Sequence, residues 1–332
     1  MRSLHIVGAG AVGLCLAARV ARSGGAVSIV TRRPEAARRL REAGLTAEDA
    51  ATGATFRVSV SASDSLDALP RDDTPLCICT RREDAAELAP RLAQAGPNRT
   101  VVTFQNDVVS EEAVGRHLGS VIGAVWRETC TRLADDRVRF QIEKPGRAVL
   151  GRHPVGATSD PQLDALAELL RKGSIDVGIS PRIADDKWLK LCVNLTSAPN
   201  ALVRQEDHGS PAFVAIKVQL LEEARAALAA AGIIASSCDG RDRSLEAEIA
   251  NHRESLERGS SARSIPLYNQ VWASLKGGAP PEADAYHLRI LELARAHNLA
   301  APMNARVLER LQHAFATGSG PECLGAEELL GH

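Results

Sequence analysis

Aromatic side chains are scarce in this chain, at 3% of its 332 residues, although 45% of the residues are hydrophobic. We therefore expect aliphatic cores and no aromatic platforms on which single-stranded nucleic acid could stack. The formal net charge of −1 gives no sign of a polyanionic partner either. Long hydrophobic runs are also missing, since no stretch approaches the ~18–20 apolar residues of a membrane span. From these absences we expect that the protein binds neither nucleic acid nor a membrane.

Clustered cysteines are missing as well, because the seven cysteines are scattered singly. Most lie in apolar runs, where a cysteine packs as a small hydrophobic residue. The only close pair, Cys77 and Cys79, has a spacing that suits neither a zinc site nor a disulfide framework. The start of the chain superficially resembles a signal peptide, but three glycines within six residues make a poor hydrophobic helix. We expect no metal and a reducing compartment, the cytoplasm.

The first half of the chain alternates short apolar runs, such as LHIVGAG (4–10) and AVSIVTR (26–32), with helical segments. Apolar strands separated by helices are typical of a parallel sheet covered on both faces. Beyond the strand-like runs at 121–152 and one more helix and strand, nearly every segment has a helical pattern. The sequence therefore predicts the α/β class, with a doubly wound, Rossmann-type domain over 1–181 and an all-α domain over 182–332.

A glycine-rich turn, IVGAGAVG, directly follows the first predicted strand and opens the first predicted helix. Dinucleotide-binding domains need this spacing for a tight turn, for close approach of the backbone to a pyrophosphate, and for packing of the helix on the strand. The helix N-terminus then faces the negative charge. The predicted cofactor loop consists of Gly8, Gly10, Ala11, Val12 and Gly13.

The second strand ends in VTRRPE and lacks the acid that NAD-binding domains place there. Arg32 and Arg33 occupy this place, and arginine accommodates the 2′-phosphate of NADP. The pattern favours NADPH, with Arg32 as the cofactor residue. A solvated arginine pair at a helix N-terminus is the alternative.

The segment KWLKLCVNLTSAPN (187–200) has the pattern of one helix ended by Pro199, with a narrow polar stripe between apolar walls. The stripe comprises Lys187, Lys190, Asn194 and Ser197. Such a pattern indicates a mostly buried helix with one narrow solvent-exposed strip.

Within this stripe we expect Lys190 and Asn194 to line a cleft between the two domains. A lysine in a partly dry site lowers its pKa and can deliver a proton, whereas snorkelling to solvent is the alternative. Lys187 follows Asp185 and Asp186 in the first turn, so we expect it to pair with carboxylates and solvent and to keep its charge.

The order of these motifs resembles that of the ketopantoate reductase (2-dehydropantoate 2-reductase) family, of which the chain looks like a divergent member. The resemblance covers GAGAVG, TRR, TFQND, KWLKLCVN and PEAD…APMN. It implies NADPH-dependent reduction of a small 2-oxo acid to the 2-hydroxy acid, with Lys190 as the general acid. It further implies that Glu282 contacts the nicotinamide ribose and the reacting region. By the same resemblance, Asn106 lies near nicotinamide and substrate, and Asn194 binds substrate.

Several positions depart from the family pattern. Ala198 replaces a second asparagine, and Gln270 stands where a serine normally holds the substrate. Arg81 stands where a lysine is frequent, and we expect it to meet the substrate carboxylate; contact with a cofactor phosphate at the end of the strand is the alternative. The remaining departures are His287 and Leu288 after PEAD, and Asp107 in place of a glycine. The predicted pocket is therefore altered, and ketopantoate is not expected to be the best substrate.

Other functions remain open on the sequence. They are a reductase of a different carbonyl or an imine, a β-hydroxyacid dehydrogenase, and an NADPH-sensing regulator without turnover. The sequence also leaves a homodimer open.

Overall fold

The computed structural model describes residues 3–95, 99–156, 160–257 and 269–331. The chain divides into two compact units, Met1–Lys187 and Trp188–His332. The helix Ile183–Asn194 crosses this boundary. The domain boundary predicted after residue 181 precedes that helix and stays a prediction.

The N-terminal unit contains two sheets and the helices that cover them. Its strands are β1 (Ser3–Val7), β2 (Ala26–Val30), β3 (Leu45–Asp49), β4 (Thr55–Val58), β5 (Ser61–Ser63), β6 (Leu76–Ile78), β7 (Val101–Thr103), β8 (Val121–Trp126), β9 (Cys130–Ala134), β10 (Arg137–Phe140), β11 (Gly146–His153) and β12 (Ile175–Ile179). Its helices are α1 (Ala11–Arg22), α2 (Pro34–Ala43), α3 (Arg82–Ala95), α4 (Ser110–Leu118) and α5 (Pro161–Lys172), with a 3₁₀ turn at Leu66–Ala68.

The main sheet has eight strands in the order β12–β11–β8–β7–β6–β1–β2–β5. The strands from β8 to β5 pair in parallel, whereas β11 runs antiparallel to β8 and parallel to β12. Neighbouring residues of β6 pack on opposite sides, because Leu76 and Ile78 join one apolar cluster and Cys77 joins the other. The predicted Rossmann-type sheet, buried on both faces, is confirmed.

A second sheet, in the order β4–β3–β10–β9, was not predicted. Helix α2 ends at Ala43, and Gly44 follows with a φ of +73°. A Cβ on Gly44 would lie 2.6 Å from the Val58 carbonyl oxygen, so a glycine is needed where the chain turns into β3. The strand-like runs predicted at 121–152 are divided between the two sheets, since β8 and β11 lie in the main sheet and β9 and β10 in the second.

Helix α1 packs against strands of both sheets, which explains why it is apolar on every side. Residues 13–20 of this helix are all buried. The buried Arg19 is paired with Glu128, its Nε lying 2.9 Å from Oε2. Its Nη2 donates to the Lys144 carbonyl oxygen at 2.8 Å, and its guanidinium lies 4.7 Å from the centre of the Phe140 ring. This pairing compensates for the burial of the Arg19 charge in α1.

The second unit is helical, as predicted. Its helices are α6 (Ile183–Asn194, begun in the first unit), α7 (Ser197–Leu202), α8 (Pro211–Ala230), α9 (Leu245–Glu257), α10 (Gln270–Lys276), α11 (Ala283–Ala296), α12 (Pro302–Thr317) and α13 (Ala326–Leu330), with a 3₁₀ turn at Gln205–Asp207. Helix α8 forms the centre, since α7, α9, α11, α12 and α13 all pack on it.

The segment 187–200 is two helices, so the prediction of a single helix ended by Pro199 is wrong. Helix α6 ends at Asn194, where the Ser197 hydroxyl donates to the Asn194 carbonyl oxygen at 2.5 Å. The Thr196 hydroxyl donates to the Val193 carbonyl oxygen at 2.9 Å. These hydroxyls satisfy carbonyl groups that a helix end leaves unpaired. Pro199 lies in the first turn of α7, where its missing N–H is no loss.

Candidate active site

The glycine turn between β1 and α1 has the backbone that its sequence predicts. Gly8 has a φ of +113°, and a Cβ there would lie 2.7 Å from the Cys79 carbonyl group. A Cβ on Gly13 would lie 2.1 Å from the Gly8 carbonyl oxygen. Packing within the protein therefore requires glycine at positions 8 and 13.

Gly10 differs from these two glycines. The nearest atom to a Cβ there is the Cys79 carbonyl oxygen, at an ordinary 3.6 Å, and its φ of −82° suits any residue. Neither packing nor backbone conformation explains why this residue is glycine. Close approach of a bound group to the backbone does explain it.

The first turn of α1 offers N–H groups to a ligand. Gly10 is the N-cap residue and provides no side-chain acceptor, and the first turn contains no acidic residue. Ala11 and Val12 are partly exposed. A helix N-terminus with these properties attracts a phosphate through its N–H groups and its dipole. The turn therefore fits the pyrophosphate of a dinucleotide.

Arg32 and Arg33 follow β2 but have different surroundings. The Arg32 side chain is 82% exposed, and its Nη1 lies 2.8 Å from Asp84 Oδ1. Arg33 is the N-cap residue of α2 and pairs with Asp135 at 2.5 Å. An exposed ion pair is weak. Arg32 is therefore the arginine that a phosphate can recruit more easily.

Asn106 lies in the turn between β7 and α4, half-buried between two anchored neighbours. Gln105 Nε2 donates to the carbonyl oxygens of Ile78 at 3.1 Å and Thr80 at 3.0 Å. This ties the turn to the end of β6, whose next residue packs on Gly8. Arg81, also in this region, is exposed.

Asp107 holds the other side of this turn. Its Oδ1 accepts the backbone N–H groups of Val109 at 2.8 Å and Ser110 at 2.7 Å, and its Oδ2 accepts the Ser110 hydroxyl at 2.7 Å. The departure at this position thus supplies an acceptor at the start of α4. The sequence carried the signal, an aspartate shortly before a helical run, but its role was missed.

Lys187 is buried rather than solvated, which corrects the sequence prediction. Its side chain is 3% exposed, and its Nζ pairs with Glu111 Oε1 of α4 rather than with the neighbouring aspartates. The Thr103 hydroxyl donates to the same oxygen at 2.6 Å. Lys187 therefore belongs to a buried ion pair and is not part of a solvent-exposed strip.

Lys190 and Asn194 are both half-buried and lie four residues apart on α6, which places them on one face. That they line a cleft between domains stays a prediction. Gln270 is exposed at the start of α10, next to Asn269. The Asn269 side chain donates to the Ser197 carbonyl oxygen at 2.7 Å and accepts the Trp272 N–H at 2.9 Å. The structure thus brings the start of α10 to the start of α7, a link that sequence reasoning missed.

Glu282 is exposed and is the N-cap residue of α11. His287, one turn further along, is fully buried, with Nδ1 2.9 Å from Asn304 Oδ1. Asn304 Nδ2 donates to Glu223 Oε2 at 2.7 Å, so Asn304 Oδ1 accepts the His287 proton. Burial lowers the pKa of His287 to about 4, so its ring is neutral at pH 7. His287 therefore belongs to the core of the helical unit.

The described ranges contain no group of three or more metal-ligating side chains. No helix there is both long and apolar enough to cross a bilayer.

Comparison with known proteins agrees with this architecture. Residues 4–154 match the model of the ketopantoate reductase PanE/ApbA family, and residues 182–314 match the model of its C-terminal domain. A 2-dehydropantoate 2-reductase of Caulobacter vibrioides is 27% identical over 323 residues, covering 95% of this chain and 99% of that protein.

Solved structures share the fold. A PanE/ApbA family ketopantoate reductase from Ralstonia eutropha superposes with a TM-score of 0.78 at 20% identity, covering 96% of this chain and 99% of that one. A D-mandelate dehydrogenase solved with NADH and anilino(oxo)acetate has a TM-score of 0.74 at 16% identity, with coverage of 96% and 99%. The fold and the glycine turn define a two-unit protein with a Rossmann-type N-terminal domain. The chain belongs to the ketopantoate reductase family.

Proposed function

We propose that this protein reduces a small 2-oxo acid to the 2-hydroxy acid with NADPH. The observation that carries the proposal is the start of α1, where Gly10 leaves room for a ligand and the first turn carries no side-chain cap. Gly8, Gly10, Ala11, Val12 and Gly13 would hold the pyrophosphate of the cofactor. Arg32 would pair with the 2′-phosphate.

NADPH, when bound, supplies the hydride that the carbonyl carbon accepts. Lys190 would donate a proton to the carbonyl oxygen, which together with the hydride completes the 2-hydroxy acid. Asn106 and Glu282 orient the reacting groups on the cofactor side. Asn194 and Gln270 hold the substrate, and Arg81 meets its carboxylate.

Lys190 is favoured over Lys187 as the proton donor because their surroundings differ. Lys187 is paired with the buried Glu111 carboxylate. Giving up its proton would leave that carboxylate buried without a counter-charge. Lys190 is half-buried, which suits a lysine that exchanges a proton during turnover.

The substrate is proposed to differ from ketopantoate. Ala198 is fully buried in α7 and offers no polar group where the family has an asparagine. A 2-oxo acid with an apolar group at that position would fit better. Another carbonyl or an imine is the alternative within the same chemistry.

The test is a screen of 2-oxo acids, β-keto acids and imines, in which absorbance monitors the oxidation of NADPH. The same screen is repeated with NADH. Turnover of a 2-oxo acid with NADPH supports the proposal. Stoichiometric NADPH binding without turnover of any carbonyl would instead indicate a sensor.

Compartment and assembly are also proposals. The seven cysteines form no disulfide in the described ranges, which supports a reducing compartment such as the cytoplasm. A homodimer is the expected assembly, and light scattering coupled to gel filtration measures it.

A further inference from the structure

An acid from a distant part of the chain contacts the arginine that is proposed to pair with the 2′-phosphate. Arg32 Nη1 lies 2.8 Å from Asp84 Oδ1, although the two residues are 52 positions apart in the sequence. The segment VTRRPE after β2 lacks the acid that NAD-binding domains place there. The fold therefore brings a carboxylate to this place from α3.

The order of the main sheet explains this contact. Strand β1 lies between β2 and β6, and all three run in parallel. The segments that follow β2 and β6 therefore flank the glycine turn that follows β1. The backbone N–H of Gly8 donates to the Val30 carbonyl oxygen at 2.8 Å, and that of Cys79 donates to the Val7 carbonyl oxygen at 2.8 Å. In dinucleotide-binding domains the end of β2 is the side of the adenosine ribose.

The two partners of this ion pair are held differently. Asp84 lies in the first turn of α3, where the helix dipole stabilises a carboxylate independently of Arg32. Its side chain is 22% exposed, whereas the Arg32 side chain is 82% exposed. The arginine is therefore the partner that can turn toward a ligand, while the carboxylate stays in place.

A 2′-phosphate would compete with Asp84 for Arg32. The ion pair joins Nη1 to one carboxylate oxygen, whereas a phosphate can accept two N–H groups of a guanidinium side by side. The phosphate is thus the better partner, but it must displace an existing pair and lie near the negative charge of Asp84. NADH has no 2′-phosphate and leaves the pair intact.

We propose that Asp84 is a specificity-determining residue for the cofactor, which narrows the preference for NADPH over NADH by holding Arg32 and by opposing the charge of the 2′-phosphate. This inference rests on the proposed function, because it requires Arg32 to pair with that phosphate.

The experiment is fluorescence titration of the full chain with NADPH and with NADH, in the wild type and in Asp84→Asn. The substitution removes the charge and keeps the size of the side chain. We expect the Kd for NADPH to fall about threefold or more and that for NADH to stay within about twofold, because an exposed ion pair and the repulsion of a nearby carboxylate together have an effect of this order.

Two further variants locate the effect. Glu83→Gln is the matched control, because it removes the same charge from the same turn of α3, but Glu83 pairs with Arg82 at 2.8 Å and not with Arg32. In an Arg32→Ala background, Asp84→Asn should change the ratio of the two Kd values less than it does in the wild type. Circular dichroism checks that each variant is folded.

The ratio of the NADH Kd to the NADPH Kd decides the outcome. A rise in Asp84→Asn, with no rise in Glu83→Gln, supports the proposal. An unchanged or lower ratio in Asp84→Asn, although Arg32→Ala weakens NADPH binding, would overturn this inference and leave the proposed function standing. An equal rise in Glu83→Gln, an equal rise without Arg32, or a rise caused by weaker NADH binding would also overturn it. An Arg32→Ala variant that binds NADPH as the wild type does would overturn both.

Discussion

Glu111→Gln is expected to destabilise the N-terminal unit strongly, because it leaves the Lys187 charge buried without a counter-charge. The side chains of Lys187 and Glu111 are 3% and 4% exposed, so solvent cannot replace the lost carboxylate. Breaking a buried pair in this way costs about 3–5 kcal/mol. The glutamine oxygen can still accept the Thr103 hydroxyl, so the change tests the charge rather than that hydrogen bond.

Urea unfolding followed by circular dichroism measures the effect. Glu112→Gln is the matched control, because the next residue of α4 pairs with Arg116 at an exposed site, where a pair contributes about 0.5 kcal/mol. The double variant Lys187→Met/Glu111→Gln is expected to be more stable than either single variant, since it removes both charges. A loss in Glu111→Gln no larger than that in Glu112→Gln would refute the reasoning from burial.

Three further predictions test separate parts of the structure. His287 is neutral in the fold with a pKa of about 4, against 6.5 when unfolded, so stability should fall by about 3 kcal/mol as pH drops from about 6.5 to about 4. The urea midpoint should fall less steeply with decreasing pH in His287→Gln than in the wild type, whereas the exposed control His297→Gln should behave as the wild type does. Equal pH dependence in the wild type and both variants would contradict the assignment. Gly10→Ala should leave the melting temperature unchanged and weaken NADPH binding. Gly13→Ala should lower the melting temperature, because only a Cβ at position 13 clashes with the backbone. A lowered melting temperature in Gly10→Ala but not in Gly13→Ala would contradict the roles given to these two glycines. Arg32→Ala should weaken NADPH binding, measured by fluorescence titration, about tenfold or more and leave NADH binding unchanged. Arg33→Ala should have a smaller effect, because Arg33 is already paired with Asp135. Equal affinity of the wild type for both cofactors would rule out this role for Arg32.

The main sheet and the glycine turn could be predicted because their signals are local. Apolar runs such as LHIV lie directly before the turn, and α1 is apolar on all sides, as expected for a buried layer. The second sheet could not be predicted in this way. Strands β3 and β4 are short and partly polar, and β3 pairs with β10 far along the chain, so neither periodicity nor length distinguishes them from a loop.

The candidate site shows the same division. Helical spacing was enough to place Lys190 and Asn194 on one face of α6. Lys187 lay outside the reach of sequence, since its partner Glu111 is 76 residues away and burial, not neighbouring aspartates, decides its pairing. The link from Asn269 to Ser197 spans 72 residues and gave no local signal either.

The central claim is that Lys190 delivers the proton during NADPH-dependent reduction of a 2-oxo acid. The most direct measurement is kcat on the best 2-oxo acid for Lys190→Ala and for the double variant Lys187→Met/Glu111→Gln, with NADPH affinity determined separately. General acid catalysis contributes about 10²–10⁴-fold, so Lys190→Ala should lose that factor while binding NADPH normally, and the double variant should lose only a few-fold. A loss below tenfold in Lys190→Ala, or an inactive but folded double variant, would contradict the account.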